Sequence, residues 1–125
     1  MNPGLFLLIA VGGGVGASVR FTLDGIIMRR AGGTYPWGTF VINTSGAILL
    51  GFLTGMADSS VLDAQWMQVL GVGCMGGYTT FSTAMVDTVH MLQKQKFSLA
   101  LGNSIGMLVL TVLGAWLGLM LGRGL

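Results

Sequence analysis

Gly76-Gly77-Tyr78-Thr79-Thr80-Phe81-Ser82-Thr83 is a polar, glycine-rich stretch inside an otherwise apolar chain, and its reading decides the fold. Trp66 to Met75 before it reads as membrane helix, and Ala84 to Leu92 after it resumes a helical pattern. Two adjacent glycines weaken a helix by about 1 kcal/mol each, and the neighbouring hydroxyls offer the backbone competing partners. In lipid a helix break leaves N–H and C=O groups bare, at several kcal/mol apiece, unless protein, water or an ion satisfies them. Two readings follow. One is a kinked helix, since glycine and threonine are common in membrane helices. The other is a broken helix whose free backbone groups bind an ion near the membrane middle.

Working outward, 53% of the 125 residues are hydrophobic and 8% are charged. A soluble domain carries about a quarter charged residues, so the chain reads as an integral membrane protein. The net charge of +2 comes from ten charged side chains and forms no basic patch interleaved with aromatics, which argues against nucleic acid as a partner. Glutamate is absent, and the single cysteine, Cys74, excludes an internal disulfide. No basic side chain precedes the first apolar run, which is too long for a signal core and reads as a retained span.

The predicted fold is all-α, with one domain of four transmembrane helices at roughly 3–28, 37–56, 66–92 (broken at 76–80) and 97–121. Asn2 and Pro3 suit the start of the first span. Gly12/Gly16 and Gly13/Ala17 give it a close-packing face, as Gly102/Gly106, Gly114/Gly118 and Gly118/Gly122 do for the last. Arg20 and Asp24 lie one turn apart and are placed to pair; Arg20 either snorkels to the interface or draws anions toward a pore mouth. Tyr35-Pro36-Trp37 reads as an interfacial anchor. Asn43 is expensive in lipid unless it faces protein or water, so it is either interhelical glue or a pore-lining donor. Asn103, Met107 and Thr111 recur every four residues and share a face, whose two polar side chains either form a hydrogen-bonding track or tie helices together. Asp87 and His90 lack a third ligand and make no metal site. No nucleophile with a base, no paired catalytic carboxylates and no phosphate loop after a strand is present, so an enzyme is not expected.

Three segments, GGGVGASVR (Gly12 to Arg20), WGTFVINTSG (Trp37 to Gly46) and GGYTTFST (Gly76 to Thr83), fall in order in spans one to three. Together they resemble the Fluc (CrcB) family of small fluoride channels, over essentially the whole chain. The resemblance implies an antiparallel dimer with two pores and a fluoride-selective passive route that lowers cytoplasmic fluoride. It implies a central sodium ion held by backbone carbonyls, matched here by Gly76 and Thr79. Phe81 matches a pore phenylalanine, Asn43 the asparagine of span two, and Arg20 the vestibule arginine. Asn103 and Thr111 match a polar track, and Thr80, Ser82 and Thr83 of the break join the expected fluoride path. Those types suit a small, tightly hydrated anion that needs replacement donors and aromatic ring edges at each step, and a central cation offsets an anion's cost in low dielectric.

The chain departs from the family pattern at two places. Ala84 stands where a second phenylalanine is usual, and Met107 where a serine is frequent. Arg29, Arg30, Lys94 and Lys96 lie in loops on one side of the membrane, against Arg123 on the other. That imbalance predicts a fixed orientation in the inner (plasma) membrane, with the loops at 29–34 and 93–96 cytoplasmic. The expected partner is then a paralogous subunit facing the other way, with a homodimer that tolerates Ala84 as the alternative. Two further readings compete: a proton-coupled exporter of the small multidrug type, which typically needs a membrane glutamate that this chain lacks, and a non-conducting partner subunit of a heterodimeric channel.

Overall fold

A computed structural model describes residues 2–32 and 35–125, excepting the side chain of Ser82. The chain is an all-α integral membrane protein. Its elements are α1 (Pro3–Ala31), α2 (Trp37–Asp58), α3 (Ala64–Met67), a π-helical segment (Gln68–Met75), α4 (Gly76–Tyr78), α5 (Phe81–Gln93) and α6 (Phe97–Arg123). Three helices, α1, α2 and α6, are each long and apolar enough to cross a bilayer. The third crossing is assembled from pieces, because Thr79 (φ −83°, ψ 158°) and Thr80 (φ −146°, ψ 117°) are extended and separate α4 from α5.

The ends of α1 follow from local chemistry. Asn2 Oδ1 accepts from Leu5 N at 2.7 Å, Pro3 occupies the first turn, and Gly32 closes the other end at φ +60°. The helix runs to Ala31, three residues past the expected Met28. Pro36 and the mutually tilted rings of Tyr35 and Trp37, with centroids 4.7 Å apart, mark where α2 leaves the interface.

Packing uses backbone-to-backbone contact in place of a large apolar core. The buried face of α1 is Gly12 and Gly16, and it meets the π-helical segment and α4. A side chain at Gly12 would sit 3.1 Å from Val69 O, and one at Gly16 would strike Cys74 O. On the opposite flank Gly114, Gly118 and Gly122 of α6 interleave with Gly51 and Gly55 of α2, each against a neighbouring carbonyl or side chain. Gly102 and Gly106 depart from this scheme: nothing lies within 4 Å of a Gly102 Cβ, and Gly106 makes only an ordinary 3.7 Å contact with Phe40. That turn of α6 packs through Ala100 and Asn103. Outward faces are apolar, as a lipid solvent requires, with Phe21 81% exposed.

Two further findings revise the sequence reading. The glycine pair is helical (Gly76 φ −62°, ψ −39°), so the break falls on the threonines after it. The π-helical stretch before it leaves no local signature in Gln68–Met75. Its Gly73 lies against the backbone of Ile9 on α1, so helix-on-helix contact, and not propensity, accompanies the wider turn.

Candidate functional site

The break is held from two sides. Asn43, midway along α2, presents its amide edge to Thr80: Oδ1 accepts from Thr80 N at 2.8 Å, and Nδ2 donates to Thr80 O at 2.8 Å. One side chain thereby bonds both backbone groups of an extended residue between the two helical pieces. Nδ2 has a second N–H, and it is directed at the Met107 thioether of α6, with Sδ 3.3 Å away. Both N–H groups of Asn43 are thus committed within the chain, and it ties helices together at the wall of the groove described below.

From the other side, Arg20 of α1 donates Nε–H to Gly77 O at 3.1 Å. This replaces the pairing with Asp24 expected from their spacing; among the described residues the salt bridge is Arg123–Asp58, at 2.9 Å. The physical reason is the half-helix end. Its last carbonyls lack N–H partners and carry the negative end of the dipole, so a guanidinium is favoured there. Asp24 instead lies against Gly38 at the start of α2.

Tyr78, 7% exposed, anchors the end of α4, its hydroxyl 2.9 Å from Ser45 Oγ on α2. Thr79 folds back, with its N–H and Oγ both donating to Met75 O at 3.0 and 2.9 Å. Thr80 Oγ caps α5 by accepting from Thr83 N at 3.2 Å. Among the described residues, the carbonyls of Gly76 and Thr79 accept no hydrogen bond. They are two oxygens at the negative end of a helix, with nothing within 4 Å of where a Gly76 Cβ would be. A hard cation with oxygen ligands fits that donor set.

Beside the break lies a groove of about 500 Å³ between α2, α5 and α6. It gathers Asn43, Thr80, Phe81, Asn103 and Thr111, together with Ala84 and Met107. Phe81 stands 76% exposed at its edge, while Ala84 is 3% exposed. Asn103, 1% exposed, donates from Nδ2 to Thr88 Oγ at 2.9 Å, which in turn donates to Ala84 O at 2.9 Å. Its Oδ1 is buried without a partner among the described residues. Thr111 Oγ donates to its own helix, to Met107 O at 2.6 Å. Thr83 and Arg20 do not line the groove, and the Ser82 side chain expected in the fluoride path lies outside the described residues. Sequence reasoning missed the Tyr78–Ser45 link and the Met107 thioether as a partner of Asn43. A tyrosine directly before the threonine pair and a methionine in register with Asn103 and Thr111 were the available signals.

The family model for CrcB-like protein, Camphor Resistance (CrcB), matches residues 7–119. The chain belongs to the CrcB family. Its relatives include the fluoride-specific ion channel FluC 1 of Leifsonia xyli, 42% identical over 122 residues, covering 98% of this chain and 89% of that one. FluC 2 of Nitrobacter hamburgensis is 40% identical over 121 residues, covering 96% and 98%. FluC of Opitutus terrae is 38% identical over 117 residues, covering 91% and 89%. CrcB relatives of this kind are named as ion channels, and the chain is a multi-pass membrane protein of that family and not an enzyme.

Proposed function

We propose that this chain is a subunit of a fluoride-selective channel that lets fluoride leave the cytoplasm passively across the inner membrane. The observation that carries the reading is the groove beside the break. It brings Asn43, Phe81, Asn103 and Thr111 to one wall in a chain whose relatives are named for fluoride. Thr80 lines the same groove, and Thr83, which does not line it, would act only at its edge by holding Thr80 Oγ. In this reading the Phe81 ring edge and the wall's amides and hydroxyls, each giving up a partner within the chain in turn, replace the hydration of a small anion weakly enough for it to move on. Arg20 contributes from behind the break, where its charge sits on Gly77 O and makes the site less hostile to an anion.

The working unit in this proposal is an antiparallel dimer. Phe81 and the open face at Gly76 are surfaces that a second subunit would cover. The carbonyls of Gly76 and Thr79, with their counterparts in the partner, would hold a sodium ion, which supplies fixed positive charge at the centre. We take the partner to be a paralogous subunit of opposite orientation. In this reading the basic residues at one end, Arg29 and Arg30 in the last turn of α1 and Lys94 and Lys96 after α5, face the cytoplasm, and Ala84 and Met107 leave the chain's own wall short of an aromatic and a hydroxyl.

Fluoride efflux from liposomes, with chloride as control, tests the proposal. The chain alone is expected to be silent and a co-expressed paralogue to restore fluoride-selective efflux. Selective efflux from the chain alone would replace the paralogue by a homodimer, and silence in both preparations would sink the channel reading. In a conducting preparation, Met107→Ser is expected to raise fluoride efflux several-fold, since a hydroxyl is a stronger partner for an anion than a thioether. The same change should lower stability by roughly 1–2 kcal/mol through lost apolar burial. Unchanged or slower efflux with intact folding would remove Met107 from the route.

A further inference from the structure

A second cavity, of about 160 Å³, opens where α5 turns into α6 at Lys94 and Lys96, and it is separate from the groove beside the break. It is lined by Met28, Pro36, Asp87, His90, Met91, Lys94 and Lys96. That volume is room for about five waters at roughly 30 Å³ each.

Its charges are sorted. Lys94 and Lys96 flank Gln95, which adopts φ +59° to turn the chain sharply from α5 into α6. The turn is fastened by Lys94 N to His90 O at 3.1 Å, Gln95 N to Leu92 O at 3.0 Å and Lys96 N to Met91 O at 2.8 Å. Both lysine stems therefore leave a fixed backbone, and neither lysine is in an ion pair among the described residues. Asp87 lies one turn deeper on α5 than His90, facing the Thr39 hydroxyl, and Asp24 adds negative charge nearby. Met28, Met91 and Pro36 make the remaining wall apolar. The Tyr35–Trp37 pair next to Pro36 sets the level of the cavity at the membrane interface, where phospholipid headgroups sit.

A cavity that carries two lysines at the α5–α6 turn, a carboxylate one turn deeper on α5 with His90 between them in sequence, and an apolar side is matched by a dipolar molecule with an acyl tail. We propose that it is a headgroup site for an ethanolamine phospholipid, independent of the channel reading. The phosphodiester pairs with Lys94 and Lys96, and the primary ammonium donates to Asp87. A choline headgroup presents the same phosphate with a quaternary nitrogen that has no N–H to donate. A glycerol headgroup satisfies the lysines and offers Asp87 no ammonium.

The test is lipid retention by the purified full chain in detergent, read by native mass spectrometry. Ethanolamine, choline and glycerol phospholipids of identical acyl chains are supplied in equal amounts. The ethanolamine lipid is expected to exceed the choline lipid about fivefold, and Asp87→Asn to erase that preference without lowering total lipid. Lys94→Gln and Lys96→Gln should each weaken retention of both lipids about fivefold, the scale of one basic side chain against a headgroup. Elution as a single sharp peak confirms that each variant is folded, and both lysine changes lie in a surface turn. Equal retention of ethanolamine and choline lipids by the unaltered chain overturns the proposal, as does greater retention of the glycerol lipid. Complete displacement of lipid by inorganic phosphate at equal concentration would make this a phosphate site and overturn it as well.

Discussion

In Asn43→Leu, fluoride efflux is expected to fall to the protein-free background in any preparation where the unaltered chain conducts, and thermal stability is expected to fall with it. Leucine keeps the approximate shape of asparagine and deletes every bond it makes. Thr80 N–H and C=O then lose the two 2.8 Å partners that serve them. Thr80 is half-buried, so each lost bond costs roughly 0.5–1.5 kcal/mol, about 1–3 kcal/mol for the two. Asn43→Asp separates the two halves of this clamp. A carboxylate still accepts from Thr80 N–H but offers nothing to Thr80 O, and its negative charge opposes an anion in the adjoining groove. We expect an intermediate loss of stability and a complete loss of efflux. Melting temperature and efflux together discriminate the roles of Asn43. Lost efflux at unaltered melting temperature would mean that Asn43 acts on the ion directly, and unaltered values of both in Asn43→Leu would remove it from the site.

The parts of this fold that were legible in the sequence are those set by spacing along one helix. Asn2 before Pro3 reads as a helix start because one residue supplies the cap and the next lacks the N–H that would be orphaned. Glycines four apart at Gly12/Gly16 and Gly114/Gly118 read as faces, because the helical repeat brings them to one side. The existence of a break was legible from composition, but its position was not. Propensity assigns the interruption to Gly76 and Gly77, whereas the two glycines are helical and Thr79 and Thr80 are extended. What local propensity omits is the neighbour: Gly77 is small because Gly13 of α1 lies against it. The Arg20–Asp24 expectation failed for a related reason. One turn of spacing permits a pair, but the open helix end at Gly77 O, delivered by a residue far away in sequence, offers a better partner in a low dielectric. Gly102 satisfied the spacing rule and met nothing, since a face is only half of a contact.

The adjacent glycines that open α4 provide the second large effect, because they differ in surroundings and not in helical conformation. In Gly77→Ala the new methyl would lie 2.8 Å from the carbonyl carbon of Gly13 and 2.9 Å from its Cα, and closer still to its oxygen. Both sides of that contact are backbone, so no side chain can rotate away. Overpacking of this kind costs roughly 1–3 kcal/mol where neighbours yield. Here α1 would have to move off α4, loosening Gly16 from Cys74 and the Arg20 bond to Gly77 O, so we expect at least about 3 kcal/mol and a low yield of folded protein. Gly76→Ala is the matched control. Its site is open, with nothing within 4 Å, and its backbone at φ −62°, ψ −39° suits any L-residue. The subunit should keep its melting temperature or gain up to about 1 kcal/mol from helix propensity. In the proposed channel, however, that methyl projects into the surface where a partner and a sodium ion would meet. The expected result is a folded subunit whose dimer fraction, measured by cross-linking in membranes, falls. Equal destabilisation by both alanines would show that the segment needs glycine flexibility and not space. A Gly76→Ala chain that dimerises normally would move the partner surface off this face.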